Sequence, residues 1–343
     1  VYKRQVLVAI QVIVNNKYIG YMVSVIALLV SDIILLILDV NSNMLSLGAT
    51  PYMIYSDLNG YGPSNTGVFW FSTYWMLFGL LLLTLSGIIW NRGAKKSFKE
   101  RLNSVKSNTS RAYSVIVSSI GLLFILTAAF VFYNTQILNS YKSNDKYEEL
   151  AVSYEKDYKK FKNLPFPKII EAKYNIDIFP KEKTADVLAL LTVTNNKKVP
   201  IDSILLNVNK RWNLSFEFPN ASVISEDKDH AVHFYGIDPP MLPGDTLIIE
   251  IKNKFQTKGF SNSGETTSIV KNGSFLNNFE ILPNIGYDSS KEIGDKNKRK
   301  KLGLPPKERM PKLEENCGVN CDKNYLTQGF SDYINVESII STS

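Results

Sequence analysis

The two histidines of this sequence, His230 and His233, are the side chains whose type and spacing first suggest metal chemistry. In an H-x-x-H pair on a helix, both imidazoles share one face and can bind zinc. These two lie in the strand-like stretch DHAVHFYG, where residues three apart point to opposite faces. The chain contains no H-E-x-x-H sequence. The pattern therefore predicts two ordinary surface or sheet histidines and no metal site.

The two cysteines, Cys317 and Cys321, lie four residues apart in a segment rich in proline and charge. A C-x-x-x-C pair without further cysteine or histidine ligands cannot complete a four-ligand zinc site. Outside the cytoplasm the environment favours oxidation, which predicts a local disulfide, and the alternative is two free thiols.

The basic run Lys296–Lys301 (KNKRKK) has the composition of a nucleic-acid patch. If this part of the chain lies outside the membrane, as the loop charges described below predict, we expect a solvated loop and no nucleic-acid partner. The sequence has no G-x-S-x-G nucleophile elbow, no Walker A sequence and no dinucleotide fingerprint. We therefore predict that this chain holds no catalytic residue and no cofactor of its own.

Three apolar segments dominate the first third of the 343 residues and set the architecture. Each is long enough to cross the roughly 30 Å hydrocarbon thickness of a bilayer as a helix. A shorter apolar stretch, Val6–Val14, is too short to span, and we expect the tail of a clipped or interfacial helix there. The predicted spans cover about residues 18–38, 68–90 and 114–133.

The loops between these spans predict their orientation. Loop 91–113 carries seven Lys or Arg residues against one acid, whereas loop 39–67 carries no Lys or Arg. The positive-inside rule then places loop 91–113 in the cytoplasm, and residues after about 134 on the outside face of the membrane. Asp32 lies within the first span, where a carboxylate is costly. It either makes a polar contact in a bundle or transport path, or lies at the outer boundary of a shifted span.

The remainder of the chain changes from apolar runs to alternating and charged sequence. Residues 139–167 read as an amphipathic stalk helix and linker, with aromatic residues recurring every three or four positions. From residue 168 to 343 the apolar residues alternate with polar ones, as in Ala172–Ile178 and Leu247–Phe255. Val187–Thr194 is more continuously apolar, which predicts a strand buried on both faces. We predict an α+β membrane protein, with three transmembrane helices followed by an extracytoplasmic antiparallel β-sandwich or saddle.

Several stretches, taken in order, resemble one bacterial membrane-protein family. Members fuse an ABC-type transporter permease region to an extracytoplasmic zinc aminopeptidase of the aminopeptidase N type. The stretches that carry the resemblance are NGYGPSNTGVFWFSTYW, FVFYNTQILNSY, SYEKDYKKFKNLPFPKI, AKYNIDIFPKEKTADVLALLTVTNN, PPMLPGDTLIIEIKNKF, GSFLNNFEILPNIGYDSSKEIGDKNKRKKLGL and DYINVESIISTS.

The resemblance implies that this chain is the last membrane spans plus the non-catalytic N-terminal β domain of such a peptidase. Both ends look cut, so we expect a fragment of a longer protein whose missing part holds the zinc and hydrolyses peptides. In the family this domain lends a polar side chain, usually Gln, to the substrate's amino end. The matching stretch before PNIGYD contains no Gln, and Asn277 and Asn278 are the nearest polar residues that could take that role.

The implied partners are the lipid bilayer and a catalytic peptidase domain in cis. Two other functions fit the same pattern. One is a membrane-anchored β domain that binds or senses a partner outside the cytoplasm. The other is an accessory subunit of an ABC transporter, which would work with a separate ATPase.

Overall fold

The computed structural model describes residues 2–38, 40–90, 98–103, 109–139, 141–209, 212–264, 268–307 and 334–343. Cys317 and Cys321 lie outside the described residues, as does the side chain of Asp32. The chain divides into two compact units. The first, here the apolar unit, is Val1–Asp145 with Lys258–Thr267, and the second, the β unit, is Lys146–Thr257 with Ser268–Ser343.

The helices follow the apolar runs and their capping residues. Asn16 is the N-cap of the second helix, because its side chain accepts hydrogen bonds from the Tyr18 and Ile19 backbone amides. Ser110 caps the fifth helix in the same way. The helices are α1 (Tyr2–Val14), α2 (Lys17–Ile37), α3 (Asn65–Ile89), α4 (Phe98–Asn103), α5 (Arg111–Phe132), α6 (Asn144–Tyr158), α7 (Asn278–Ile281) and α8 (Lys296–Lys301).

Three helical stretches of the apolar unit are long and apolar enough to cross a membrane, as the sequence predicts. They are Lys17–Ile37, Gly62–Ile89 and Arg111–Leu138, the last two including flanking 3-10 and π-helical turns. Aromatic rings pack α3 against α5, with the Trp70 and Phe130 ring centroids 4.4 Å apart. Near the opposite ends of these helices, the Tyr113 hydroxyl donates a 2.8 Å hydrogen bond to the Thr84 carbonyl.

Among its described residues the β unit has two main sheets that face each other across one apolar core, and a further sheet of two short strands. The strands are β1 (Lys168–Phe179), β2 (Thr184–Thr194), β3 (Ile201–Asn207), β4 (Trp212–Glu217), β5 (Ala221–Asp227), β6 (Val232–Met241), β7 (Thr246–Gln256), β8 (Ile269–Val270), β9 (Gly273–Ser274), β10 (Asn284–Ile285) and β11 (Asn335–Thr342). The five-stranded sheet has the order β11-β1-β2-β7-β4, and the four-stranded sheet has the order β10-β3-β6-β5.

The alternating sequence of β1 and β7 determines which face of the larger sheet is buried. Tyr174 and Ile176 of β1 and Ile249 and Ile251 of β7 all point into the core. The predicted antiparallel pairing is confirmed for β1 with β2 and for β2 with β7. Pairing of this kind, with one face toward a core, explains the period of two in the sequence.

One prediction about these strands is wrong. β2 is not buried on both faces, because Leu188 on its outer face is 38% exposed while Val187 and Ala189 are buried. The antiparallel pattern has one exception among the described strands, because β11 pairs with β1 in parallel. A parallel neighbour requires a long connection between the two strands, and residues 180–334 of the chain provide it.

Candidate functional site

Helix α6 forms a third layer over the outer face of the four-stranded sheet. Its Tyr154 packs with Leu205 of β3 and Val232 of β6, and all three side chains are buried. The neighbours of Leu205 in β3, Ile204 and Leu206, point into the core between the sheets. β3 is therefore buried on both faces, and α6 is a packed element of the β unit and not a free stalk.

The centre of this layer is a buried ion pair between α6 and α8. The Arg299 guanidinium donates hydrogen bonds of 2.7 and 2.8 Å to the two oxygens of Glu155, and each side chain is 2% exposed. Arg299 also donates to the backbone carbonyls of Ile293 and Pro305. These hydrogen bonds lower the pKa of Glu155, although burial opposes the change, and they raise the pKa of Arg299. Glu155 is therefore an ionised, bidentate partner of Arg299.

The location of Arg299 corrects the prediction for Lys296–Lys301. That run is a helix, not a solvated loop, and Asp295 caps it by accepting a hydrogen bond from the Lys298 amide. Arg299 is buried while its neighbours Lys298 and Lys300 are exposed. One basic residue of the run is consequently part of the fold.

Further charges and a tyrosine surround the pair. Lys159 of the turn after α6 contacts Glu155 at 2.7 Å and Glu292 at 3.7 Å. The Tyr287 hydroxyl donates a 2.9 Å hydrogen bond to Glu292. Burial, together with the Glu292 carboxylate, raises the pKa of Tyr287, so this phenol stays protonated and acts as a donor.

A second set of polar contacts fixes Tyr154 itself. Its hydroxyl donates to the Asn207 side chain at 2.9 Å and accepts from the Asp288 amide at 2.9 Å. The Lys291 ammonium lies 4.8 Å from the centre of the Tyr154 ring and donates to Asn207 at 2.8 Å. Burial raises the pKa of Tyr154 to about 12.

Ser153, His230 and Asp227 form a connected chain of hydrogen bonds at the edge of the same layer. Ser153 Oγ lies 2.7 Å from His230 Nε2, and His230 Nδ1 lies 2.6 Å from Asp227 Oδ2. The Tyr158 hydroxyl donates to the same aspartate oxygen at 2.8 Å. Burial disfavours the charge of Asp227, but hydrogen bonds from His230 and Tyr158 outweigh it and lower its pKa to about 2. Asp227 is thus a fixed negative charge beside the imidazole.

The order serine, histidine, aspartate is that of a nucleophilic triad, but the surroundings of Ser153 indicate a structural role. Its hydroxyl lies 3.0 Å from the carbonyl of Glu149 and 3.2 Å from that of Leu150, one turn earlier in α6. Because Asp227 accepts from His230 Nδ1, a neutral imidazole presents Nε2 as an acceptor, and the Ser153 hydroxyl hydrogen has three acceptors within reach, two of which are backbone carbonyls. We interpret the three residues as a clamp that ties α6 to the turn between β5 and β6.

The structure separates the two histidines. His230 lies in the turn between β5 and β6, not in a strand as predicted, and it is part of the clamp. His233 lies within β6, and burial lowers its pKa. Among the described residues no group of three His, Cys, Asp or Glu side chains could hold a metal ion. The zinc that the resemblance implies therefore has no fitting ligand set in this part of the chain.

Asn277 and Asn278 lie at the start of α7. Asn277 caps that short helix, because its side chain accepts a 3.0 Å hydrogen bond from the Glu280 amide. Asn278 is exposed, and its side-chain oxygen accepts a 3.1 Å hydrogen bond from the Tyr174 hydroxyl. Burial raises the pKa of Tyr174 to about 12, so this phenol is a donor. Whether either asparagine contacts a substrate stays a prediction.

A segment between β7 and β8 belongs to the apolar unit, although no pattern in the sequence predicts this. In this return segment, residues 258–264, Phe260 is 2% exposed and packs with Phe71 of α3 and Val131 of α5. The Asn139 side chain donates to the carbonyls of Lys258 and Phe260 at 2.8 and 3.1 Å.

A second anchor of the return segment is Asn262. The Asn43 backbone amide donates a 2.8 Å hydrogen bond to Asn262 Oδ1. The Asn43 side-chain amide donates a 2.6 Å hydrogen bond to the Asn262 carbonyl. Asn262 in turn donates to the carbonyl of Asn41 at 2.6 Å. Three hydrogen bonds to the loop after α2 therefore hold this one side chain and its backbone in place.

Comparisons with known proteins give a limited result. No protein-family model and no curated protein matches the sequence. Weak structural neighbours are M1 zinc metallopeptidases. The M1 zinc metallopeptidase from Deinococcus radiodurans matches with a TM-score of 0.22 and 14% identity, over 27% of this chain and 21% of that one. A two-domain M1 zinc metallopeptidase variant bound to L-tryptophan matches with the same TM-score and identity, over 29% and 22%. The matches thus span about a fifth of the length of these peptidases.

Proposed function

We propose that this chain anchors a non-catalytic β domain to a bacterial inner membrane, as the first part of a membrane-tethered zinc aminopeptidase. Helices α2, α3 and α5 cross the bilayer, and loop 91–113 lies in the cytoplasm. The β unit lies outside the cytoplasm. Peptide hydrolysis resides in a further part of the protein, which supplies the zinc.

The observation that carries the anchoring role is the return segment. The chain passes between the apolar unit and the β unit three times, after residues 145, 257 and 267. Phe260 is almost fully buried between α3 and α5, and Asn262 and Asn139 bind the segment by hydrogen bonds. A β domain tethered only by one flexible linker would not need this second attachment.

The edge strand β11 supports the proposal of a further domain in cis. All its residues are exposed, and Val336, Ile339 and Ile340 are 54%, 63% and 61% exposed. Exposed apolar edge strands pair readily with other chains and are usually covered or interrupted by charge. A catalytic domain placed next to this strand would bury these side chains.

Two measurements test the proposal. The reading frame beyond Ser343 should encode H-E-x-x-H followed by a downstream Glu. The purified 343-residue chain should release no amine from aminoacyl-p-nitroanilides beyond a chelator-treated control, because it lacks that ligand set. Chelator-sensitive hydrolysis by this chain would contradict the accessory role. A frame without the zinc ligands would favour a membrane-anchored binding protein or a transporter subunit.

A further inference from the structure

A cavity of about 400 Å³ lies in the apolar unit beside the C-terminal half of α1. Its apolar wall comes from Leu7, Val8 and Val12 of α1 together with the indole of Trp90, at the end of α3. The volume lies within the range of about 300–1,000 Å³ that is usual for small-molecule sites. The cavity therefore has room for part of an amphiphilic molecule.

One polar group on the cavity wall lacks a partner. Ser24 of α2 lines the cavity and is 5% exposed, and its hydroxyl oxygen makes no hydrogen bond in the part of the chain that the structure describes. Ser86 of α3 is similarly buried, but its hydroxyl donates to the Leu82 carbonyl at 2.6 Å. A buried hydroxyl without a partner is unfavourable, so a ligand oxygen at this position would be stabilising.

A permanent positive charge lies on the same wall. Arg101 of α4 is 3% exposed, and its guanidinium donates hydrogen bonds of 2.5 and 2.7 Å to the Val12 and Ile13 carbonyls at the end of α1. Arginine remains charged throughout the accessible pH range. The side chain thus brings a cation to the cavity in a fixed orientation, which suits an anionic oxygen group such as a phosphate.

The surroundings favour a lipid over a soluble anion. Trp90 is 61% exposed at the end of the apolar helix α3, and tryptophan in such a position is typical of a membrane–water interface. The next residues, 91–113, are the basic loop, and basic residues beside a span attract anionic lipid headgroups. The polar wall and the apolar wall of the cavity correspond to the headgroup and the chain of such a lipid.

We infer that this cavity binds one anionic phospholipid, with its phosphate at Arg101 and Ser24 and the start of an acyl chain along α1. The inference rests on the proposed membrane anchoring, since the lipid is available only to an inserted chain. A bound lipid of this kind would hold α1, α2 and α4 together.

The test uses the complete chain in a nonionic detergent, with bound lipid counted by native mass spectrometry. Phosphatidylglycerol should bind with a Kd about tenfold or more below that of phosphatidylcholine, and inorganic phosphate should not compete. Arg101→Gln should raise the Kd for phosphatidylglycerol about tenfold, and Ser24→Ala about threefold, because each removes a group that contacts the phosphate.

If Arg101→Gln fails to fold, a variant that fills the cavity and keeps Arg101 can still test the proposed lipid site. Val8→Trp should abolish phosphatidylglycerol binding, whereas Val115→Trp, at a position on α5 that is 59% exposed, should leave the Kd unchanged. The inference is overturned if Val8→Trp binds like the original chain. It is also overturned if phosphatidylcholine binds equally well, or if inorganic phosphate competes. Binding in micelles does not depend on orientation in a cell, so a reversed membrane topology would refute the proposed function and leave this result intact.

Discussion

Removing either partner of the Glu155–Arg299 pair should destabilise the β unit strongly. Arg299→Met leaves the Glu155 carboxylate buried with only Lys159 as a charged contact among the described residues. Glu155→Gln leaves the guanidinium buried beside neutral carbonyls. Breaking a buried ion pair from one side costs about 3–5 kcal/mol, and we expect each single variant to lose that much unfolding free energy.

The double variant distinguishes the cost of one unpaired buried charge from the cost of losing the ion pair as a whole. Replacing both residues by methionine removes both buried charges together, and such replacements are often close to neutral. The Ile293 and Pro305 carbonyls lose their donor, which costs about 1 kcal/mol each. We therefore expect Glu155→Met with Arg299→Met to lose about 2 kcal/mol, less than either single variant.

The assay is urea unfolding of the complete chain in detergent, followed by circular dichroism of the β unit. Lys252→Met is the matched control, because Lys252 pairs with Glu217 on the surface and its loss should leave the transition unchanged. The reasoning is refuted if either single variant unfolds within about 1 kcal/mol of the original chain. It is equally refuted if the cost of the double variant is the sum of the two single costs.

Three further outcomes follow from the same contacts. Phe260→Ala should cost the apolar unit about 3–5 kcal/mol in detergent and expose the return segment to protease, whereas Phe275→Ala, at a position 73% exposed, should do neither. The pKa of Asp227 is lowered from 3.8 to about 2, so its ionised form stabilises the fold by about 2 kcal/mol above pH 4. This stabilisation is lost as the pH falls toward 2, and Asp227→Asn should flatten that part of the curve of unfolding free energy against pH. Ser153→Ala should lower stability by about 1 kcal/mol and leave fluorophosphonate labelling unchanged at background, since Ser153 acts as part of a clamp; labelling that depends on Ser153 would contradict that role.

The elements that the sequence predicts well are those whose residues repeat with a fixed period. The three apolar helices are evident from length and composition alone. In β1 and β7 a single buried face imposes strict alternation, so Tyr174, Ile176 and Ile251 could be assigned to the core before the structure was known.

The polar contacts could not be predicted, because they join residues that are distant in the sequence. Arg299 and Glu155 are 144 residues apart, and Ser153 and His230 are 77 apart. A basic run such as KNKRKK gives no indication that its fourth residue is buried. The one local signal was Asp227, three residues before His230 in a turn, where an aspartate side chain often binds nearby backbone and ring N–H groups.

The parallel pairing of β11 and the return segment share a physical cause. Both depend on where a long connection brings the chain, and neither leaves a periodic trace in the sequence. Phe260 lies in a short polar stretch, KGFSNSG, which predicts only a loop. Its burial follows from the groove between α3 and α5 that Phe71 and Val131 form.

The most direct test of the account is the side of the membrane on which the β unit lies. Single cysteines are introduced at Ser225 of β5 and at Lys99 of α4, both exposed, after Cys317 and Cys321 have been replaced by serine. A membrane-impermeant maleimide should label Ser225→Cys in intact spheroplasts and Lys99→Cys only after permeabilisation. Labelling of Lys99→Cys in intact spheroplasts, with Ser225→Cys protected, would contradict the proposed anchoring and its orientation.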